Sequence, residues 1–235
     1  MGETTRRGYV PSDIKEFSGI ALEKVRDAGE DLFYLLNREY KIKGASTFIG
    51  NHYMLSERQR LALVRSISSK QALEVRQQKK GHLESVQYLH IDGFNTIITL
   101  EVALSECLLM EGMDGTIRDL AGLRGTYRII DKTRLALQVL FETLDEKGIH
   151  GVCFWLDAPV SNSGRLKQLI LEIGAVYKVA VQVKVINEVD TVLSNLEGVV
   201  SSDAIILNKC KSWINLNRNI IEEKLENSWY IKCWR

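Results

Sequence analysis

The stretch Val86-Gln-Tyr-Leu-His-Ile-Asp92-Gly93-Phe94-Asn95 decides how the rest of the chain is read. It is a short apolar run that stops on Asp-Gly, and such a run bounded by a turn signal predicts a buried strand. Gly93 is expected to let the chain turn sharply, since glycine alone enters positive φ without steric cost. Asn95 to Leu109 carries a helical apolar pattern. Asp92 should therefore stand at the carboxyl end of a strand, where open α/β sheets hold their ligands.

Downstream, the same grammar repeats. Gly151 to Asp157 is a second apolar run ending on an acid, closed by Pro159. Val179 to Ile186 reads as a third strand and leads to Asp190. Gly198 to Asp203 contains a fourth, again running into an acid, and Trp229 to Trp234 reads as a last edge strand. Lys132 to Lys147 is an amphipathic helix with Leu135, Val139, Leu140 and Leu144 as its core face, ended by Gly148. Strands alternating with helices predict an α/β fold, a mostly parallel Rossmann-like sheet with helices on its faces, over residues 81–235.

Residues 1–80 read as a small all-helical domain. Residues 1–11 look like a loose arm, Ser12 and Ser56 are candidate caps, and Gly29 is a candidate interruption of the first amphipathic stripe. Arg58, Arg60 and Arg65 invite a helix-turn-helix reading. A helical bundle with a solvated basic face, usable for phosphate contacts, fits better, because no aromatics interleave with the arginines. The polar segment 76–85 is the candidate boundary, with Arg76, Lys79 and Lys80 as a solvated helix end.

Composition narrows the function classes. The chain has 235 residues and a net charge of +1, so no global field marks a nucleic-acid binder and any phosphate attraction must be local. The four cysteines are far apart with no CxxC pair, which predicts reduced, buried thiols and a cytoplasmic protein. No run approaches the ~20 apolar residues of a membrane helix, and the N-terminus lacks the apolar region of a secretory signal.

Three strands ending in Asp92, Asp157 and Asp203, with Asp190 after another, put several carboxylates on one sheet edge. A lone acid after a strand is ordinarily a turn residue or cap; three in register form a pattern. Converging carboxylates raise one another's pKa unless a cation lies between them. Oxygen ligands without a His or Cys cluster suit Mg²⁺ or Mn²⁺, which would polarise a phosphoryl oxygen and activate water. Asn95 and Ser202 are expected to orient that water or touch phosphate. Ser161 and Ser163, read as a capped helix start, could offer donors to phosphate. The glycine-dense segment 111–128 reads as a functional loop. There Asp114-Gly115 could be a hairpin turn and Asp119 could pair with Arg118 or Arg124, or either acid could be a further ligand, while Arg118, Arg124 and Arg128 could face substrate.

The segments Ile91-Asp92-Gly93-Phe94-Asn95 and Val200-Ser201-Ser202-Asp203 resemble the opening and closing motifs of the PIN/NYN nuclease superfamily, and the order of strands and acids between them is similar. The resemblance covers roughly residues 86–215. The whole chain also resembles a family of uncharacterised prokaryotic proteins in which a helical region, here carrying Asn37 and the Gly50-Asn51-His52 segment, precedes such a domain. The resemblance implies a PIN-like fold and a metal-dependent phosphodiesterase acting mostly on RNA, with Asp92, Asp157 and Asp203 as metal ligands. The superfamily's intervening acid has no single match, and Glu101, Asp114 and Asp119 compete for it. Two other readings stand beside this one: a non-catalytic nucleic-acid or partner-binding module using Arg118, Arg124, Arg128 and the helix of residues 57–65, and a Mg²⁺-dependent phosphatase. A homo-oligomer is compatible with every reading.

Overall fold

A computed structural model describes residues 5–122 and 125–235. Five helices come first: α1 (Asp13–Glu16), α2 (Gly19–Leu36), α3 (Ile42–His52), α4 (Glu57–Ser66) and α5 (Lys70–Lys79). Then follow β1 (Tyr88–Asp92), α6 (Gly93–Leu104), β2 (Leu109–Glu111), β3 (Ile117–Asp119), α7 (Asp131–Glu146), β4 (Gly151–Asp157), α8 (Ser163–Gly174), β5 (Ala180–Ile186), α9 (Val189–Leu193), β6 (Val199–Val200), α10 (Ala204–Lys209), α11 (Leu216–Lys224) and β7 (Tyr230–Lys232).

The main sheet is parallel, in the order β5-β4-β1-β6, flanked by helices and preceded by the helical region. The chain builds outward from β1 through β4 to β5, then returns to the other side of β1 with β6. The strand order therefore reverses at β1, and the crevice at such a reversal is where open α/β sheets bind ligands. Leu89 and Ile91 of β1 are fully buried and pack with Ile97, Leu100, Leu137, Leu140, Phe141, Val152 and Phe154. Helix α7 is rotated slightly from expectation: Ala136, Leu137, Leu140, Phe141 and Leu144 face the core, while Leu135 is exposed.

Trp229 to Trp234 does not edge this sheet. Strand β7 instead runs parallel to β2 in a second sheet, β3-β2-β7, in which β2 and β3 form an antiparallel hairpin. The segment expected to be a functional loop is thus largely built structure. Gly115 turns the hairpin at φ +79, and Ile117, Arg118, Asp119 and Leu120 are buried. This second sheet shares a core with the helical region: Leu108, Met110, Leu120 and Cys233 pack among Phe17, Val25, Ala28, Leu32, Ile49 and Leu63. Gly29 therefore does not interrupt α2. A Cβ there would lie 2.0 Å from the Cys233 carbonyl oxygen, so glycine lets the helix lie directly on β7.

Gly93 plays a different part from the one expected of it. Its φ is not positive; a Cβ would lie 2.4 Å from Leu156 Cδ2, so it lets α6 begin tight against β4. Ser56 caps α4 in a capping box with Gln59, as its spacing suggested, whereas Ser12 makes no capping bond. Within the N-terminal arm, the described residues 5–11 are pinned rather than loose, and residues 1–4 lie outside the described residues. Arg7 donates to Glu101 Oε2 at 2.8 Å and to the Arg128 carbonyl at 2.6 Å. Glu101 is fully buried and also accepts from Tyr127 and Thr133, so it is a structural acid and not the missing ligand. Two arginines of α4 are likewise structural. Arg58 pairs with Asp13, and Arg60 donates to the Leu55 and Gly50 carbonyls.

Candidate functional site

Register fixes how the rim acids meet. Asp92 lies opposite Trp155 of β4, and Ile91 lies opposite Val200 of β6. Asp157 and Asp203 therefore each stand about two residues beyond the level of Asp92, on either side of β1. Two residues of strand advance about 7 Å, so the rim is a shallow arc and not a point.

Asp92 is the buried member, 7% exposed. Its Oδ2 accepts the Ser201 hydroxyl at 2.7 Å, and its Oδ1 accepts the Asn95 N–H at 3.4 Å as the cap of α6. Burial, and then the charges of Asp203 and Asp190, push its pKa up to about 7, against the pull of the Ser201 bond. Asp203 caps α10, accepting from the N–H groups of Ile205 at 2.7 Å and Ile206 at 3.2 Å. Asn95 is locked by its neighbour: its Oδ1 accepts both the N–H of Ser202 at 2.8 Å and its hydroxyl at 3.0 Å. Asn95 and Ser202 thus hold each other across the β1 and β6 ends.

Asp190 lies nearer the centre than its place in the sequence suggests. Helix α9 turns back over β1 and β4 to meet α10, because Val189 and Leu193 bury against Ile206, Leu207 and Trp213. Burial raises the Asp190 carboxyl, with the charges of Asp203 and Asp157 adding to it. Asp157 is raised by burial alone, against the pull of the Val189 N–H at the start of α9. Asp203 and Asp190 both act on Asp92, and Asp157 acts on Asp190. Among the described residues none of these four acids is in an ion pair. Nor, among those residues, are three His, Cys, Asp or Glu side chains gathered as ligands of one ion. The fit to Mg²⁺ or Mn²⁺ rests on the donor set: carboxylates, an amide and hydroxyls, all hard oxygens without a competing thiolate.

The other candidate acids are spoken for. Asp114 is clamped by Arg76 at 2.6 Å and Arg118 at 2.5 Å and accepts from Thr116; these two guanidiniums hold its carboxyl well below the usual range despite burial. Asp119 pairs with Arg65 at 3.6 Å and accepts the Ala121 N–H at 2.8 Å; its partner is not Arg118, and Arg124 lies outside the described residues. Both acids therefore serve as counter-ions for arginines, and neither joins the rim.

The expected phosphate donors also divide. The Ser161 hydroxyl is consumed by the backbone of Tyr127, accepting its N–H at 2.8 Å and donating to its carbonyl at 3.0 Å. Ser163 opens α8 without a side-chain cap, its N–H donating to the Val160 carbonyl. Arg128 is exposed on the loop before α7. None of the three lines the cavity beside the rim. Arg118 does, and its Nε donates to the Ser202 carbonyl at 2.7 Å.

That cavity, about 540 Å³, lies between the helical region and the β6–α10 turn. Its polar lining comprises Asn95, Ser202 and Asp203 with Arg65, Arg76 and Arg118, beside Ser68 and Ser69. Sequence reading missed Ser201 as the partner of Asp92 and Arg76 as a pocket residue. Arg76 is 3% exposed and not a solvated helix end; its position one helical turn after Ala72 was the available signal.

Among the described residues no helix is long and apolar enough to cross a membrane. The family described as protein of unknown function DUF434 matches residues 24–79. An uncharacterised protein of Methanocaldococcus jannaschii is 33% identical over 185 residues, 78% of this chain and 88% of that protein. No solved structure matches. The relative and the second family match, which covers residues 83–219, together show that this chain belongs to the family described as domain of unknown function DUF5616.

Proposed function

We propose that this chain is a divalent-metal-dependent phosphodiesterase acting on RNA, with a PIN/NYN-like α/β domain. One observation carries the reading: a carboxylate buried where the strand order reverses, its pKa raised by burial and then by two neighbouring acids, with no basic side chain paired to any of them among the described residues. A group of carboxylates at a ligand-binding crevice, near Lys209 and Arg76 but in no ion pair with them, has its simplest counterpart in a hard cation.

Asp92 and Asp203 would hold a Mg²⁺ or Mn²⁺, with Asp190 and Asp157 beside them. Bound there, the ion supplies a polarised phosphoryl oxygen and a more acidic water. Ser201 favours the charged form of Asp92 by donating to its carboxylate. Asn95 is fixed by Ser202, so its amide NH₂ presents donors from a single orientation. The test is cleavage of a labelled RNA oligonucleotide with Mn²⁺, with Mg²⁺ and with chelator. Metal-dependent cleavage should disappear in Asp92→Asn with the fold intact; cleavage that survives in this variant removes the reading.

A second reading, a module that binds nucleic acid without cutting it, is favoured by the arginine-lined cavity. It predicts binding that falls steeply with salt and no turnover with any divalent ion.

A further inference from the structure

The lining of the cavity beside the acid rim is of two kinds. Arg65 and Arg76 come from the helical region and share that lining with Asp203. Arg76 uses Nε on Asn208 and Nη1 on Ser68 and Asp114, and has no partner for Nη2 among the described residues. Arg65 spends only Nη1, on the Asp119 carbonyl and carboxylate, and its side chain is 34% exposed. Spare guanidinium donors therefore border the space where the carboxylates end. The same lining carries large apolar side chains: Tyr40 and Ile42 from the helical region and Ile205 of α10, at 59%, 38% and 55% exposure. Large apolar side chains left open in a cavity that also offers cationic donors match a ligand with a planar apolar part and an anionic part.

We infer that this cavity seats one unpaired nucleotide of a single-stranded RNA, its base against Tyr40, Ile42 and Ile205 and its phosphate at Arg65 and Arg76. The helical region thereby becomes half of the substrate site and selects for single strands, because a base paired and stacked in a duplex has no free face to lay on these side chains. The volume is in the range of pockets that enclose a ligand of nucleotide size. The assignment of RNA rests on the proposed function; the binding geometry stands without catalysis.

The two are separated by measuring binding in chelator, where no metal-dependent cleavage occurs. Fluorescence anisotropy with a labelled single-stranded RNA oligonucleotide is compared with a duplex of the same sequence, for the full chain and for Tyr40→Ala, Ile205→Ala and Tyr40→Phe. Tyr40 and Ile205 are exposed, so these variants leave the fold alone. Expected is at least about fivefold weaker single-strand binding in each alanine variant, near-native binding in Tyr40→Phe, and duplex binding at least tenfold weaker, in line with about 1 kcal/mol or more per stacked base. The inference is overturned by no binding of the single strand, by alanine variants that bind like the parent, or by a duplex that binds as tightly. Binding as expected without cleavage in Mn²⁺ leaves this inference standing and removes only the nuclease reading.

Discussion

Ser201 joins two acids of the rim: its hydroxyl donates to Asp92 Oδ2 at 2.7 Å, and its oxygen accepts the Asp203 N–H at 3.0 Å. One side chain thus sets the spacing between the end of β1 and the start of α10. The bond also favours the charged form of Asp92. Ser201→Ala should leave the carboxylate harder to ionise and cost about 1 kcal/mol of stability. Mn²⁺ binding, followed by calorimetry from about pH 6 to 9, should shift toward higher pH in the variant. An unchanged pH profile would show that Ser201 does not tune Asp92.

The raised pKa of Asp92 makes a prediction about stability in the metal-free protein. Its folded value, about 7, lies above the ordinary 3.8. Between these values the folded form keeps a proton that the unfolded chain releases. Stability from this group is therefore full below about pH 4, falls as pH rises, and is lowest above about pH 7. Asp92→Asn is neutral throughout and escapes the penalty. In chelator at about pH 8 it should unfold a few degrees higher than the parent, a gain of about 1–3 kcal/mol, and the two should converge at about pH 3.5. Thermal unfolding by circular dichroism reads this directly; a parent equally stable at both ends of the range would contradict it.

Local pattern exposed the rim and hid its surroundings. Asp92 and Asp203 are legible because each closes an apolar run, and a parallel sheet brings such ends together whatever lies between them. Asp114 and Asp119 are not, because their meaning depends on Arg76 and Arg65, 38 and 54 residues away along the chain. In isolation an Asp in a glycine-rich segment reads the same whether it will hold a metal or a guanidinium. Strand β7 was legible as a strand, but its pairing with β2 depends on the core that Cys233 shares with Leu32 and Ile49. Asp190 was placed after a strand correctly. Its approach to Asp203 follows from the packing of Val189 and Leu193, and no local periodicity announces that.

Gly29 offers a test of the shared core. Alanine is the better helix former by about 1 kcal/mol, so propensity alone predicts that Gly29→Ala stabilises α2. The Cys233 carbonyl leaves no space for the methyl group, and either α2 or β7 must shift. Overpacking should prevail, with a net loss of about 1–3 kcal/mol seen as a lower unfolding midpoint. A midpoint at or above the parent's would mean that the helical region does not lie on β7 this closely.

Asp114 separates a counter-ion from a ligand. Removing its charge leaves Arg76 and Arg118, 3% and 5% exposed, without their shared carboxylate. Asp114→Asn should cost about 3–5 kcal/mol, equally with and without Mn²⁺. Because its folded pKa is depressed, the stabilisation it gives the parent is complete above about pH 4 and is lost only as pH falls well below that. A variant destabilised only when Mn²⁺ is present would return Asp114 to the metal site.

The relative weight of Asp190 and Asp157 discriminates between the arrangement seen here and one built from strand ends alone. If the strand-end acids were the site, Asp157→Asn would be the more damaging change and Asp190→Asn nearly silent. The structure orders them the other way. Asp190 stands in the field of both Asp203 and Asp157, and Asp190 in turn raises Asp92. The Val189 N–H pulls on the Asp157 carboxyl and favours its charged form. Asp190→Asn should therefore weaken Mn²⁺ binding about tenfold or more, the effect of losing one charged ligand or close neighbour. Asp157→Asn should weaken it less and should instead loosen the turn into α9, detected as faster amide exchange at Val189. Equal losses of Mn²⁺ affinity, or a larger one in Asp157→Asn, would put the ion between β1 and β4 and leave α9 without a part in holding it.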